Sequence, residues 1–286
     1  MAGCWHCALQ HEDSEQAFRK ASELNPEDPA YHYNLGLALQ NLKRFEEAEK
    51  EFRAALNLNK DYSLAHRGLG GLFFEQKGYD EARAEFEKAL SPNPNDPEVH
   101  NWLGRVELRQ KLYDDSEQAF RKASELNPED PAYHYNLGLA LQNLKRNREA
   151  EEEFRAALHL NKDYFLAHNG LGGLLFDQER YDEAKVEFEK ALSLNRNDPE
   201  VHNGLGRVAL RQKRYEDSEQ AFRKASELEP EEPVYHYNLG LALQNLKRNR
   251  EAEEEKCLET FKNCLAIVEG AEARGNFDVA KRKNKR

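Results

Sequence analysis

The sequence predicts an all-α fold, a right-handed superhelical solenoid of antiparallel helix pairs, and three observations carry that prediction. The string DSEQAFRKASEL begins at Asp13, Asp115 and Asp217, each 102 residues after the last. YHYNLGLALQNLKR begins likewise at Tyr31, Tyr133 and Tyr235. Inside each 102 lies a finer period of 34, marked by Leu-Gly at Leu35-Gly36, Leu69-Gly70, Leu103-Gly104, Leu137-Gly138, Leu171-Gly172, Leu205-Gly206 and Leu239-Gly240. A fixed period of this length signals units that cannot bury their apolar faces alone and so must stack on one another.

Taken in order, residues 1–12 form an irregular N-terminal segment and residues 13–28 supply only the second helix of a truncated repeat. Residues 29–256 hold an array of about seven units. The first helix of a unit opens at a proline behind an acid, as in Asp28-Pro29, Asp96-Pro97 and Asp198-Pro199. There Asp caps the free amides and Pro has none to satisfy. Twelve residues after each Leu-Gly glycine stands a small residue, Ala48, Ala82, Ser116, Ala150, Ala184, Ser218 or Ala252. Four further on comes Phe52, Phe86, Phe120, Phe154, Phe188 or Phe222, and three later an alanine such as Ala55 or Ala89. Offsets of three and four put these groups on one face of a second helix, which starts near Tyr79 or Tyr113 in its unit. Residues 257–280 loosely resume as a degenerate repeat or capping helix, and 281–286 form a basic tail.

This pattern resembles the tetratricopeptide repeat (TPR) family. The resemblance rests on the Leu-Gly pairs, the Ala/Ser and Phe columns, the aromatic at Phe45, Tyr79, Tyr113, Tyr181 and Tyr215, and a closing proline at Pro26, Pro94, Pro128 and Pro230. It departs at the family's early first-helix aromatic, which is histidine here, and at Lys60, Lys162 and Arg196 in place of the closing proline.

Composition narrows the function. A net charge of −11 argues against general binding to nucleic acid or anionic membrane, and no run of about 18 apolar residues occurs. A soluble, cytoplasmic protein is expected, with a solvated tail. Cys4-Trp5-His6-Cys7 has the look of a redox pair or half a zinc site. A zinc needs four ligands, and Cys257 and Cys264 lie seven stacked units away, so incidental thiols are the simpler reading. Histidines recur every 34 residues at His32, His66, His100, His134, His168, His202 and His236. Units about 10 Å apart cannot share one metal ion, so these are expected to pack between units. A further expectation is that protonating the file loosens the stack near pH 6. Phosphate loop, nucleophile motif and metal box are all missing, so no catalytic residue and no cofactor is expected.

The resemblance implies that the first helices line a concave groove. The residues it places there are Tyr33, Asn34, Asn41, Arg67, Asn101, Arg105, Arg109, Tyr135, Asn136, Asn143, Asn169, Asn203, Arg207, Arg211, Tyr237 and Asn238. Asn serves a peptide backbone as donor and acceptor, Tyr offers flat amphipathic area, and Arg binds carboxylates. The clamp with which some members hold the acidic tails of heat-shock chaperones is incomplete here, leaving Arg105 and Arg109 as the anion contact. The expected function is a non-catalytic scaffold binding peptide segments of a protein partner, at two near-identical sites set by the 102-residue period. Three alternatives stay open: the substrate-presenting region of a larger enzyme such as a peptide glycosyltransferase, a co-chaperone-like adaptor, and a consensus-like structural array.

Overall fold

A computed structural model describes residues 2–246, with side chains from Glu12 onward. All regular structure among these residues is helical. The chain divides into two compact units, Met1–Leu160 and Asn161–Arg286. The first unit contains α1 (Ala2–Leu24), α2 (Pro29–Asn41), α3 (Phe45–Leu58), α4 (Ser63–Glu75), α5 (Tyr79–Leu90), α6 (Pro97–Arg109), α7 (Tyr113–Leu126), α8 (Pro131–Asn143) and α9 (Asn147–Leu160). The second contains α10 (Phe165–Asp177), α11 (Tyr181–Leu194), α12 (Pro199–Arg211), α13 (Tyr215–Leu228) and α14 (Pro233–Asn245). Within each unit successive helices pack in sequence as antiparallel pairs, and successive first helices also touch, α2 with α4, α4 with α6, and α10 with α12.

Helix starts follow the local chemistry. Asp28 accepts from the Ala30 amide at 2.9 Å, Asp96 from Glu98 and Val99, Asp130 from Ala132 and Asp198 from Val201, each with proline in the first turn. The N-terminal boundary differs from the expectation: α1 is one helix from Ala2 to Leu24, crossing the division at residue 12 and stopping before Asn25-Pro26. The residue before a proline disfavours the helical conformation, which ends it there.

The turn between the helices of a pair is the same in the six repeats where it is described. The Lys43, Lys77, Lys111, Lys145, Glu179 and Lys213 backbones have φ of 60–63°, the left-handed region. The next amide closes back onto the first helix, Arg44 to the Leu39 carbonyl and Leu112 to the Glu107 carbonyl, both at 2.9 Å. This is the Schellman arrangement, usually built on glycine.

The Leu-Gly glycine and the phenylalanine column belong to one contact. A Cβ on Gly36 would lie 2.6 Å from the Phe52 ring, and one on Gly104 would lie 2.7 Å from Phe120. Glycine therefore admits a fully buried ring flush against the helix backbone. Where the small-residue column holds serine, Ser116 Oγ donates to the Gly104 carbonyl at 2.8 Å and Ser218 Oγ to Gly206 at 2.9 Å, so its hydroxyl is satisfied in the core.

Candidate functional site

Because Leu-Gly faces the second helix, the residues three before, one after and five after the glycine share a different face of the first helix. In α6 these are Asn101, Arg105 and Arg109. Within each unit, neighbouring first helices join along this face. Asn136 donates to Asn101 at 2.8 Å and Asn238 to Asn203 at 2.8 Å, while Gln40 reaches Glu75 at 2.7 Å.

The predicted groove residues divide by what they do. Tyr33 is buried, 6.0 Å from Phe52 and edge-on to Tyr62. It hydrogen bonds Arg67, whose guanidinium also pairs with Glu98. Burial works against that charge, but Tyr33 and Glu98 outweigh it and raise the Arg67 pKa. Asn34 is half-buried and Asn41 exposed, whereas Asn143 turns its amide onto the Leu139 carbonyl of its own helix at 2.8 Å. Tyr135 packs 5.9 Å from Phe154. In the second unit Asn169 reaches Glu200 at 3.4 Å, Arg211 is exposed, and Tyr237 stands 49% exposed. Asn136 and Asn238 sit two residues before the glycine, in the column of Gly68 and Gly204, where a Cβ would strike Phe52 at 2.6 Å or Phe188 at 2.7 Å. That column meets the preceding repeat's phenylalanine, so these asparagines serve the seam between repeats as well as the surface.

Arg105 has a setting that residue spacing did not reveal. Its guanidinium carbon lies 3.9 Å from the Trp102 ring centroid and 5.1 Å from that of Phe74. Trp102 in turn stacks on Phe86 at 5.6 Å, with 14° between the planes, and meets Phe74 edge-on at 5.6 Å. Burial, and after it the charge of Arg109, lowers the Arg105 pKa from the usual guanidinium value. The signal in the sequence was the unique Trp102 in a column of Gly and Asn, three residues before an arginine.

The histidine file joins the two helices of a pair. His32 Nδ1 lies 2.7 Å from Glu51, His66 2.6 Å from Glu85, His134 2.7 Å from Glu153 and His168 2.6 Å from Glu187. Each Nε2 lies 2.9–3.2 Å from the backbone carbonyl six residues earlier. At His134 both partners are acceptors, and only the imidazolium has two donors to offer. For His134 the Glu153 hydrogen bond, against burial and with help from the Pro128 carbonyl, raises the pKa. The expectation that protonation loosens the stack is therefore reversed at His134. Glutamate nineteen residues after a histidine was the readable sign; Ala119 and Ala221 take that place after His100 and His202.

Among the described residues no cluster of three or more His, Cys, Asp or Glu could hold a metal ion, and no helix is long and apolar enough to cross a membrane. The side chains of Cys4 and Cys7, together with Cys257, Cys264, the 257–280 segment and the 281–286 tail, lie outside the described residues. An open cleft of about 360 Å³ in the second unit, lined by Lys185, Ala209, Arg214 and Lys224, has its cations paired: Lys185 with Glu189, Arg214 with Asp217 and Lys224 with Glu227.

Comparison with known proteins places these features among repeats of one kind. Family models described as tetratricopeptide repeat match residues 8–63, 41–97, 69–131 and 101–164, and then 141–208 and 175–239. A search of the curated proteins found no match. Among solved structures, the APC/C hetero-tetramer Cut9-Hcn1 aligns with a TM-score of 0.74 at 19% identity, over 82% of this chain and 46% of that one. This chain thus spans less than half the length of that protein. PilF of Pseudomonas aeruginosa aligns with a TM-score of 0.63 at 21% identity, over 84% of this chain and 99% of its own. YrrB, described as a TPR protein with an unusual peptide-binding site, aligns with a TM-score of 0.52 at 25% identity, over 66% of this chain and 97% of its own.

Proposed function

We propose, because this chain belongs to the tetratricopeptide repeat family, that it is a non-catalytic scaffold holding a peptide segment of a partner protein along the joined faces of its first helices. The observation that carries this reading is the mixed chemistry of that surface. Exposed Asn41 and Tyr237, half-buried Asn34 and Asn169, and Arg105 and Arg109 stand along one side of helices whose other side is committed to packing. Such a surface supplies amide donors and acceptors for an extended backbone and aromatic area for its side chains. The peptide-binding description of YrrB supports the same reading.

The test is capture of partners by the intact chain beside a variant carrying Asn34→Ala, Asn41→Ala, Asn169→Ala and Tyr237→Ala. None of these side chains is buried, so the variant should keep the helicity of the parent, checked by circular dichroism. Partners held by the parent and lost by the variant are the expected result. An identical set of partners from both would remove the groove from the function.

A further inference from the structure

We infer that Arg105 and Arg109 form a carboxylate-binding site in the first unit that has no working counterpart in the second, and that the groove ligand places an acidic side chain or a terminal carboxylate there. The inference rests on the groove reading above and deepens it.

It starts from two copies of nearly the same sequence. Positions 102 residues apart pair Phe74 with Phe176, Glu75 with Asp177, Trp102 with Gly204, Arg105 with Arg207 and Arg109 with Arg211. In the second unit Arg207 lies 4.1 Å from the Phe176 ring, and its guanidinium reaches Asp177 at 3.7 Å. That arginine already has its counter-charge. In the first unit the matching acid is drawn the other way: Glu75 receives Gln40 Nε2 at 2.7 Å and Lys43 Nζ at 2.8 Å from the preceding repeat. Of the two acids on α6, Glu98 is engaged by Arg67, and Glu107 is buried with Arg83 3.7 Å away. Arg105 is left on Trp102 and Phe74, with no carboxylate partner among the described residues, and Arg109 one turn further on has none either.

A guanidinium drawn partly out of water without a counter-ion is a costly arrangement that an incoming carboxylate relieves. The rings hold the fork in a fixed plane, which lowers the entropy lost when two parallel hydrogen bonds form. Arg109 adds a second positive charge on the same face. Space is present as well: at Gly71, the residue equivalent to Arg105 one repeat earlier, an added Cβ would meet only Gln40 Nε2, at 3.8 Å.

Trp102 reports on its own site. The chain has two tryptophans, Trp5 and Trp102, so Trp5→Phe leaves a single emitter against Arg105. The full chain with that change is titrated with three short peptides: a blocked peptide containing two glutamates, a neutral peptide with a free C-terminal carboxylate, and a neutral blocked control. A saturable, salt-sensitive change in Trp102 emission with at least one carboxylate peptide, and none with the control, is expected; which of the two responds tells side chain from terminus. Arg105→Gln should weaken that binding at least about tenfold, the loss typical of a charge-assisted hydrogen bond. Arg207→Gln should leave it unchanged. Equal affinity in Arg105→Gln, equal losses in both variants, or no saturable response from either carboxylate peptide at about 5 mM, an affinity too weak to serve recognition, would overturn the site. Partners still captured by Arg105→Gln but lost by the four-residue groove variant would do the same while leaving the groove reading in place.

Discussion

At the residue scale Glu107 departs furthest from its surroundings. The equivalent position in the other repeats is Leu39, Phe73, Leu141, Leu175, Ala209 or Leu243, and Glu107 is only 6% exposed. Its Oε2 and the Gln110 Oε1 one turn later are buried acceptors without a donor, and Arg83 stands 3.7 Å away. Burial is the main cause that pushes its pKa up to about 7; Asp115 and Glu87 add to the shift and Arg83 opposes it. A carboxyl whose folded pKa is raised prefers its proton in the fold. Its cost is therefore absent below the unfolded value near 4.5 and grows as pH rises through 7. Glu107→Leu should stabilise the chain by about 2 kcal/mol at pH 8, with the gain shrinking toward pH 5, as read from urea unfolding at the two pH values. A variant less stable than the parent at pH 8 would count against this account. Lys111, exposed and at φ 63°, offers a milder case. Lys111→Gly should gain about 0.5 kcal/mol, because relief of left-handed strain slightly exceeds the added freedom of the unfolded chain.

At the scale of the element, glycines of one helix type carry opposite consequences. A Cβ on Gly104 would stand 2.7 Å from the Phe120 ring, whereas one on Gly173 meets nothing within 4 Å. Gly104→Ala should cost about 2–3 kcal/mol through overpacking of a buried ring. Gly173→Ala should add about 0.5–1 kcal/mol of helix propensity. Thermal melts of the two variants, shifted down and up respectively, check the assignment. The His134–Glu153 pair binds α8 to α9. Since its hydrogen bond raises the folded pKa, its stabilisation is whole below about pH 6.5 and fades as pH climbs through the raised value. Glu153→Gln should reduce the slope of stability between pH 6 and 8, and a slope equal to the parent's would assign the dependence elsewhere.

At the scale of the whole molecule these contributions share a sign. The Glu107 carboxyl and the His134 imidazole both favour their protonated forms in the fold, so the unfolding midpoint should fall between pH 6 and pH 8. The 102-residue duplication suggested two equal docking sites, but near-identity of sequence does not make the settings equal. Trp102 against Gly204 and the differing engagement of Glu75 and Asp177 leave one unpaired arginine site, in the first unit. Titration calorimetry with a carboxylate peptide should accordingly give one site per chain.

The sequence by itself determined the helix pairs, their period, the Asp-Pro starts and the Gly-Phe core. Each of these follows from contacts inside one repeat or between a repeat and the next, so the pattern along the chain suffices to read them. Only the tertiary structure decided which polar groups remain available. Tyr33, Arg67 and Asn136 are as legible in sequence as Arg105, yet they are consumed by Phe52, Glu98 and Asn101 of other helices. Whether a charge keeps a partner depends on angstrom-scale choices among several acids. Glu75 could have answered Arg105 and instead answers Lys43 and Gln40, a competition between side chains of neighbouring helices that no single repeat's sequence encodes.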